Sequence, residues 1–422
     1  MYTGISEKYF KTGRVLLIVT LFLISFPRSW SLYPLGLFLF AGLLLWIKHF
    51  NLNYHILKRN LLILMPPVIY FLLHLISLII QSGNITLITD RLMFLLVPVF
   101  GIPLFMHFNA DDDIVFFKAF TAGIIMVSIV LVFRIIIFVN KLVPADMNFI
   151  DYAVLHKYWF FSAHLSVFEH PTYFSMKIIW VLLIFIFAHE RLKINNMTLF
   201  ILSVFLSCFL VFIASRSSMV FWVVIAICFI VQLYRKKLIK GIYLFIIIPV
   251  SVFLAVISLE KNGRINDAIS EIRIKLNEGG FEWKNIDQRT REWYTAIQVI
   301  KADPFGGAGF VQIKDRMREE YLKHGFYEEA KLNLNAHNQF LEAQMTFGIA
   351  GTVSLLLMLF ALLYRKRLLE FPELAFSFVI MISFFLMFES MLNRQWGVMF
   401  FLIFYFILAN RAEKSDTTVM YP

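Results

Sequence analysis

Cysteine is almost absent from this chain. Two occur in 422 residues, Cys208 and Cys228, both inside apolar blocks. A disulfide framework is excluded, and both read as small packing residues. Charge is scarce as well. Asp, Glu, Lys and Arg make up 16% of the chain against 60% hydrophobic residues, and mean hydropathy is +0.75. Soluble domains hold about 45–50% apolar residues, so a soluble core is excluded. No small-residue cleavage site follows the basic N-terminus (Lys8, Lys11, Arg14) and its apolar run VLLIVTLFLISF. That segment reads as a retained span, not a signal peptide. No GK[ST] follows the one glycine-dense turn, so there is no P-loop. No internal repeat is evident, and the spacing of His156, His164 and His170 fits no metal template.

What remains is apolar sequence in blocks of roughly 17–25 residues, the length that crosses a bilayer. The expected fold is an all-α integral membrane protein of about twelve transmembrane helices. The spans are expected near 14–31, 33–48, 61–81, 91–108, 114–140, 172–189, 197–214, 217–234, 240–259, 338–364, 371–388 and 396–410. The net charge of +11 does not indicate nucleic acid as a partner, because the basic residues sit in short loops. Alternate loops are basic: Lys48 with Lys58 and Arg59, Arg191 with Lys193, Arg235 to Lys237, Arg365 to Arg367, and Arg411 with Lys414. The positive-inside rule then puts both termini in the cytoplasm. The acidic run Asp111 to Asp113 falls on that face and suits a helix start.

Residues 1–259 would hold nine helices with an outer loop at about 141–171. A large, partly helical periplasmic loop would fill 260–336, and 337–422 three more helices and a cytoplasmic tail. Helical spacing is expected for Ile265, Ala268, Ile269, Ile272 and Leu276. The same holds for Trp293, Ala296, Ile297 and Ile300, ahead of a stop at Pro304.

Chemistry-bearing residues gather on the outer face. Arg216, in SRSS between two apolar blocks, is a charge at membrane depth. Such charges usually face a cavity with a partner, and the guanidinium fork suits phosphate oxygens; snorkelling to headgroups is the plainer alternative. Arg289 and Arg291 precede Trp293. The turn from Asp303 to Gly309 is either an anion-holding nest built on Gly307 and Gly309 or a structural turn. His337 is expected in the first turn of the tenth span, where the helix N-terminus would keep its ring neutral and fit for a general base. Asn338 is placed to orient it or a substrate hydroxyl. Glu389 and Arg394 lie between the last two spans, either as an ion pair or as part of a donor pocket. Arg28 and Arg91 are further candidates for diphosphate or acceptor contacts.

Taken together, SRSS at Arg216, the R-x-x-x-W start from Arg289 to Trp293, PFGGAG, HNQFLE from His337 and GIAG at Gly348 to Gly351 resemble the O-antigen ligase and polymerase superfamily. The resemblance implies a bacterial inner-membrane glycosyltransferase. Its donor would be a glycan on undecaprenyl diphosphate and its acceptor the lipid A core or another surface glycan. His337 would activate the acceptor hydroxyl, while Arg216 and Arg289 would hold the diphosphate. Gly307, Gly309, Asn338, Arg91, Glu389 and Arg394 would contact substrate. Neither metal nor ATP would be required. A polymerase joining lipid-linked repeat units is the nearest alternative. A lipid or solute transporter is more remote, because the informative charges gather at one face instead of mid-span.

Overall fold

The computed structural model describes residues 4–213, 215–235, 287–364 and 369–409. Among them the regular elements are helices and no strand occurs. The chain enters through α1 (Gly4–Leu23), α2 (Arg28–Lys48), the short α3 (Phe50–Arg59) and α4 (Leu61–Ile80). A 3-10 helix (Ile85–Arg91) then meets α5 (Met93–Phe105) at a 51° bend. Next come the long α6 (Ala110–Asn140), the short α7 (Phe149–Leu155), α8 (Pro171–Leu192), α9 (Asn196–Ile213) and α10 (Arg216–Arg235). After the undescribed stretch follow α11 (Gln288–Ala302), α12 (Ile313–Lys323), α13 (Tyr327–Leu332), α14 (Gln339–Tyr364), α15 (Pro372–Leu386) and α16 (Gln395–Leu408).

Six of these helices are long and apolar enough to cross a membrane, or seven if the bent pair is one span. The protein is therefore an α-helical, multi-pass membrane protein. Length and composition do not reach the expected twelve crossings, and most of the shortfall has a cause. Helices α15 and α16 have 15 and 14 residues; at 1.5 Å per residue they fall short of a hydrocarbon core of about 30 Å. Helix α1 carries Glu7, Lys8, Lys11 and Arg14 in its first half. The expected span at 240–259 and the helical spacing from Ile265 to Leu276 lie outside the described residues. The first expected span, 14–31, is also displaced: α1 ends at Leu23, and a break through Pro27 precedes α2.

Helix α8 is the most enclosed of the long helices, with 89% of its apolar window buried. It packs by aromatic edges: Trp180 meets Phe378 at 4.9 Å and Phe404 at 5.4 Å between ring centroids. Near its start, buried Lys177 donates to both oxygens of Glu169 (2.8 and 2.9 Å) and to the Ile24 carbonyl (3.0 Å). All three ammonium donors are thus used, and α8 is tied to the turn after α1. At the start of α6, Asn109 and Asp112 form a reciprocal capping box, and Arg14 pairs with Asp112 at 2.6 Å. The acidic run there caps a helix, as a helix N-terminus favours. Cys208 departs from its expected packing role, being a free thiol exposed on α9.

Helices α11 to α13 form a layer with a core of its own, including Ala296, Val299, Ile313, Met317 and Tyr321. The buried stripe of α11 is Glu292, Thr295, Ala296 and Val299, whereas Ile297 is exposed. The helix lies where expected, but it is turned so that a carboxylate faces inward.

The glycine-dense turn docks into a break in α14. Gly348 there has φ 58° and ψ −145°, and a Cβ on it would come within 1.9 Å of the Phe305 carbonyl oxygen. Around the break, the Met345 and Thr346 carbonyls accept from the Ala308 and Gly309 amides at 2.7 and 2.9 Å. The amides of Gly306 and Gly307 bond to Asp303, and those of Phe310 and Val311 to Ser77 and Gln81. Every amide from 306 to 311 is therefore used inside the protein. This corrects the anion-nest expectation: Gly307 and Gly309 adopt positive φ (74° and 81°) to seat the turn against α14 and α4, not to hold substrate.

Candidate functional site

Four helices begin at one cavity of about 810 Å³. Its wall contains Pro171 and Thr172 of α8, Ser215 to Ser217 at the start of α10, Asp287 to Arg289 at the start of α11, and His337 just before α14. Three of these ends are capped, by His170, Asp287 and Asn338, so the positive charge of this wall comes from its arginines. Arg216 is the first residue of α10, and Arg289 lies in the first turn of α11, after the Asp287 cap. Both expected arginines therefore line the same cavity as His337.

His337 sits just outside α14, with φ 43°. Asn338 caps that helix, its side-chain oxygen accepting from the amides of Phe340 (3.0 Å) and Leu341 (3.2 Å). Two expectations change here. His337 is not in the first turn, and Asn338 spends its carbonyl oxygen on the helix end. Nor does the site push the ring toward its neutral form. Its Nδ1 lies 3.4 Å from a carboxylate oxygen of Glu389. That hydrogen bond raises the His337 pKa above its ordinary value; burial opposes the shift, and the charge of Glu292 adds to it. With Nδ1–H donated to Glu389, Nε2 carries the basic lone pair.

Glu389 is buried between α15 and α16. Its other oxygen accepts from Arg289 at 3.3 Å. Arg394, its expected ion-pair partner, makes no such pair among the described residues. The carboxylate thus joins His337 and Arg289 instead. Arg291, two residues from Arg289, points elsewhere. It donates to Glu329 at 2.6 Å and lies over the Phe326 ring, as a strut of the α11–α13 layer.

A second cavity of about 770 Å³ also has His337 in its wall. His337, Glu389 and His170 belong to both walls. Arg91 and Arg394 line only this second cavity, together with Tyr173, Asn335 and Trp396. Gly307, Gly309 and Asn338 line neither. The side chain of Arg28 lies outside the described residues.

Glu292 and His170 were not anticipated. Glu292 is fully buried on the site side of α11, where burial raises its pKa, and it accepts from Gln288 at 2.8 Å. A glutamate on the apolar stripe of an amphipathic helix was the available signal. His170 caps α8 through Nδ1, which accepts from the Thr172 amide at 3.4 Å. Burial lowers its pKa. His-Pro-Thr before an apolar block marked it as a cap, but nothing local placed it beside His337. The other two histidines of that loop enter aromatic contacts, His156 with Tyr152 and His164 with Trp159.

Residues 201–356 match the family model described as O-antigen ligase. That stretch of the chain is similar to the O-antigen ligase family. Its members are glycan-processing membrane enzymes, and the matched stretch contains Arg216, Arg289 and His337. Glu389, Arg91 and Arg394 lie beyond it. Comparison with curated proteins finds no match.

Proposed function

We propose that this protein moves a glycan from an undecaprenyl-diphosphate carrier to a hydroxyl of a lipid A core or related surface acceptor. The observation that carries this reading is the meeting of Arg216 and Arg289 in one cavity beside a basic imidazole. A diphosphate is the anion that such a wall fits, and it is also a leaving group. The donor carries its own activation, so the residues need supply only position, charge and a proton acceptor.

In the reaction, the acceptor oxygen forms a bond to the anomeric carbon as the bond to the diphosphate oxygen breaks. The hydroxyl proton passes to His337 Nε2. Glu389 holds the ring through Nδ1 and stabilises the imidazolium that forms. Arg289 and Arg216 take up charge developing on the departing diphosphate. Attack on the face opposite the departing diphosphate inverts the anomeric centre. The basic loops at the other end of the bundle support a site on the periplasmic face of a bacterial inner membrane, with cytoplasmic termini.

The test uses purified protein, labelled undecaprenyl-diphosphate glycan and a lipid A core acceptor, with chelator and without ATP. Label is expected on the acceptor, with undecaprenyl diphosphate released. Label in longer lipid-linked chains would make the protein a polymerase. No transfer to any acceptor would overturn the reading.

A further inference from the structure

The second cavity holds two arginines, Arg91 and Arg394, and Asp90 and Glu342 act on Arg91 from a distance without closing an ion pair on it. Arg91 ends the 3-10 helix before α5, and Arg394 immediately precedes α16. Arg91 donates to the Asn393 carbonyl at 2.9 Å and lies 5.2 Å over the Phe310 ring. Its Nε is buried without a hydrogen-bond partner. The Arg394 side chain has no hydrogen-bond or ion-pair partner among the described residues. The two guanidiniums are close enough to act on one another as like charges. Asp90 and Glu342 line the same cavity, yet neither forms an ion pair with Arg91 or Arg394. A half-buried guanidinium with an orphaned N–H, set beside a second one, is costly unless an anion completes it.

We infer that Arg91 and Arg394 form a second anion site, which takes a phosphate or carboxylate substituent on the acceptor sugar. This rests on the two-cavity reading above, in which the donor diphosphate occupies the Arg216–Arg289 side. The separation is physical: neither Arg91 nor Arg394 lines the first cavity, and neither Arg216 nor Arg289 lines the second. The indole of Trp396 and the ring of Tyr173 line the same chamber and offer faces for a sugar. The paired forks would fix the acidic substituent and so set which hydroxyl meets His337.

The test measures binding to the purified full chain without turnover. The probes are glucose, glucose 6-phosphate and glucuronate for the second cavity, and undecaprenyl diphosphate for the first. Wild type should bind at least one charged sugar about tenfold more tightly than glucose. Arg394→Gln and Arg91→Gln should remove that preference, and Arg91→Lys should keep part of it if loss of fold is not the cause. Undecaprenyl diphosphate affinity should stay within about twofold in Arg394→Gln and fall in Arg216→Gln. Equal binding of charged and neutral sugars by wild type overturns the site. So does a loss of undecaprenyl diphosphate affinity in Arg394→Gln, which would assign the arginine to the donor. If wild type prefers charged sugars but fails to bind undecaprenyl diphosphate, the donor reading fails and the anion site stands. Glucose 6-phosphate and glucuronate, compared with each other, tell phosphate from carboxylate.

Discussion

Glu169 and His170 are neighbours in the chain, yet they belong to two kinds of polar structure. Glu169 joins Lys177 in a pair where every ammonium donor is used at 2.8–3.0 Å. His170 faces the cluster of His337, Glu389 and Arg289, where the contacts are 3.3–3.4 Å and two cavities share the wall. The first pair is saturated and closed, and the second is loose and accessible. Saturation marks a strut, because nothing remains to offer a ligand. Looseness beside a cavity marks a site, where hydrogen bonds can tighten as substrate arrives.

Breaking the loose cluster should remove activity and spare the fold. His337→Gln should slow transfer about a hundred- to ten-thousand-fold, the range of a general base. Thermal melting should stay near wild type, since the side chain is partly exposed and makes one long hydrogen bond. Arg289→Gln should cost about a hundred- to a thousand-fold in kcat, as for loss of one group stabilising developing charge. Arg291→Gln sharpens the contrast. It should lower the melting temperature by freeing buried Glu329, with turnover per folded molecule retained.

Breaking the saturated pair should do the reverse. Glu169→Gln or Lys177→Met leaves one buried partner uncompensated, at a cost of about 3–5 kcal/mol. Denaturation should show the loss, while the folded fraction keeps its rate. If either variant instead melts normally and loses turnover, the strut belongs to the site.

The smallest expected effect is a shift in pH. The hydrogen bond that His337 donates to Glu389 raises the His337 pKa, so the free base forms at higher pH than it would without that bond. Transfer should therefore rise with pH through that raised value. Glu389→Gln removes the largest cause of the shift, and the rising limb should move to lower pH with a reduced plateau. The stability that this bond contributes is present below the unfolded histidine pKa and is lost as pH climbs through the raised one. An unmoved limb in Glu389→Gln would detach the carboxylate from the imidazole.

Much of this was legible in the residues. Hydropathy located most of the helices, a charge beside an apolar block singled out Arg216, and the family resemblance singled out Arg289 and His337. What escaped notice depends on pairings between distant segments. Glu389 meets Arg289 across 100 residues and His337 across 52, so its choice of partner over Arg394 has no local signature. The same carboxylate raises the His337 pKa, opposite to the direction expected from a helix N-terminus. The glycine turn was ambiguous because its acceptors lie on α14 and α4, exposed to it by the break at Gly348. Helices α12 and α13 were hidden by charge, although Ile313, Met317 and Tyr321 carry a helical stripe.

The central claim is that His337 takes the proton of the attacking hydroxyl. Its most direct test is single-turnover transfer from undecaprenyl-diphosphate glycan by His337→Ala, with and without added imidazole. The account predicts loss of transfer and partial rescue by imidazole, growing with pH as the free base forms. A variant that transfers at the wild-type rate without rescue would contradict it.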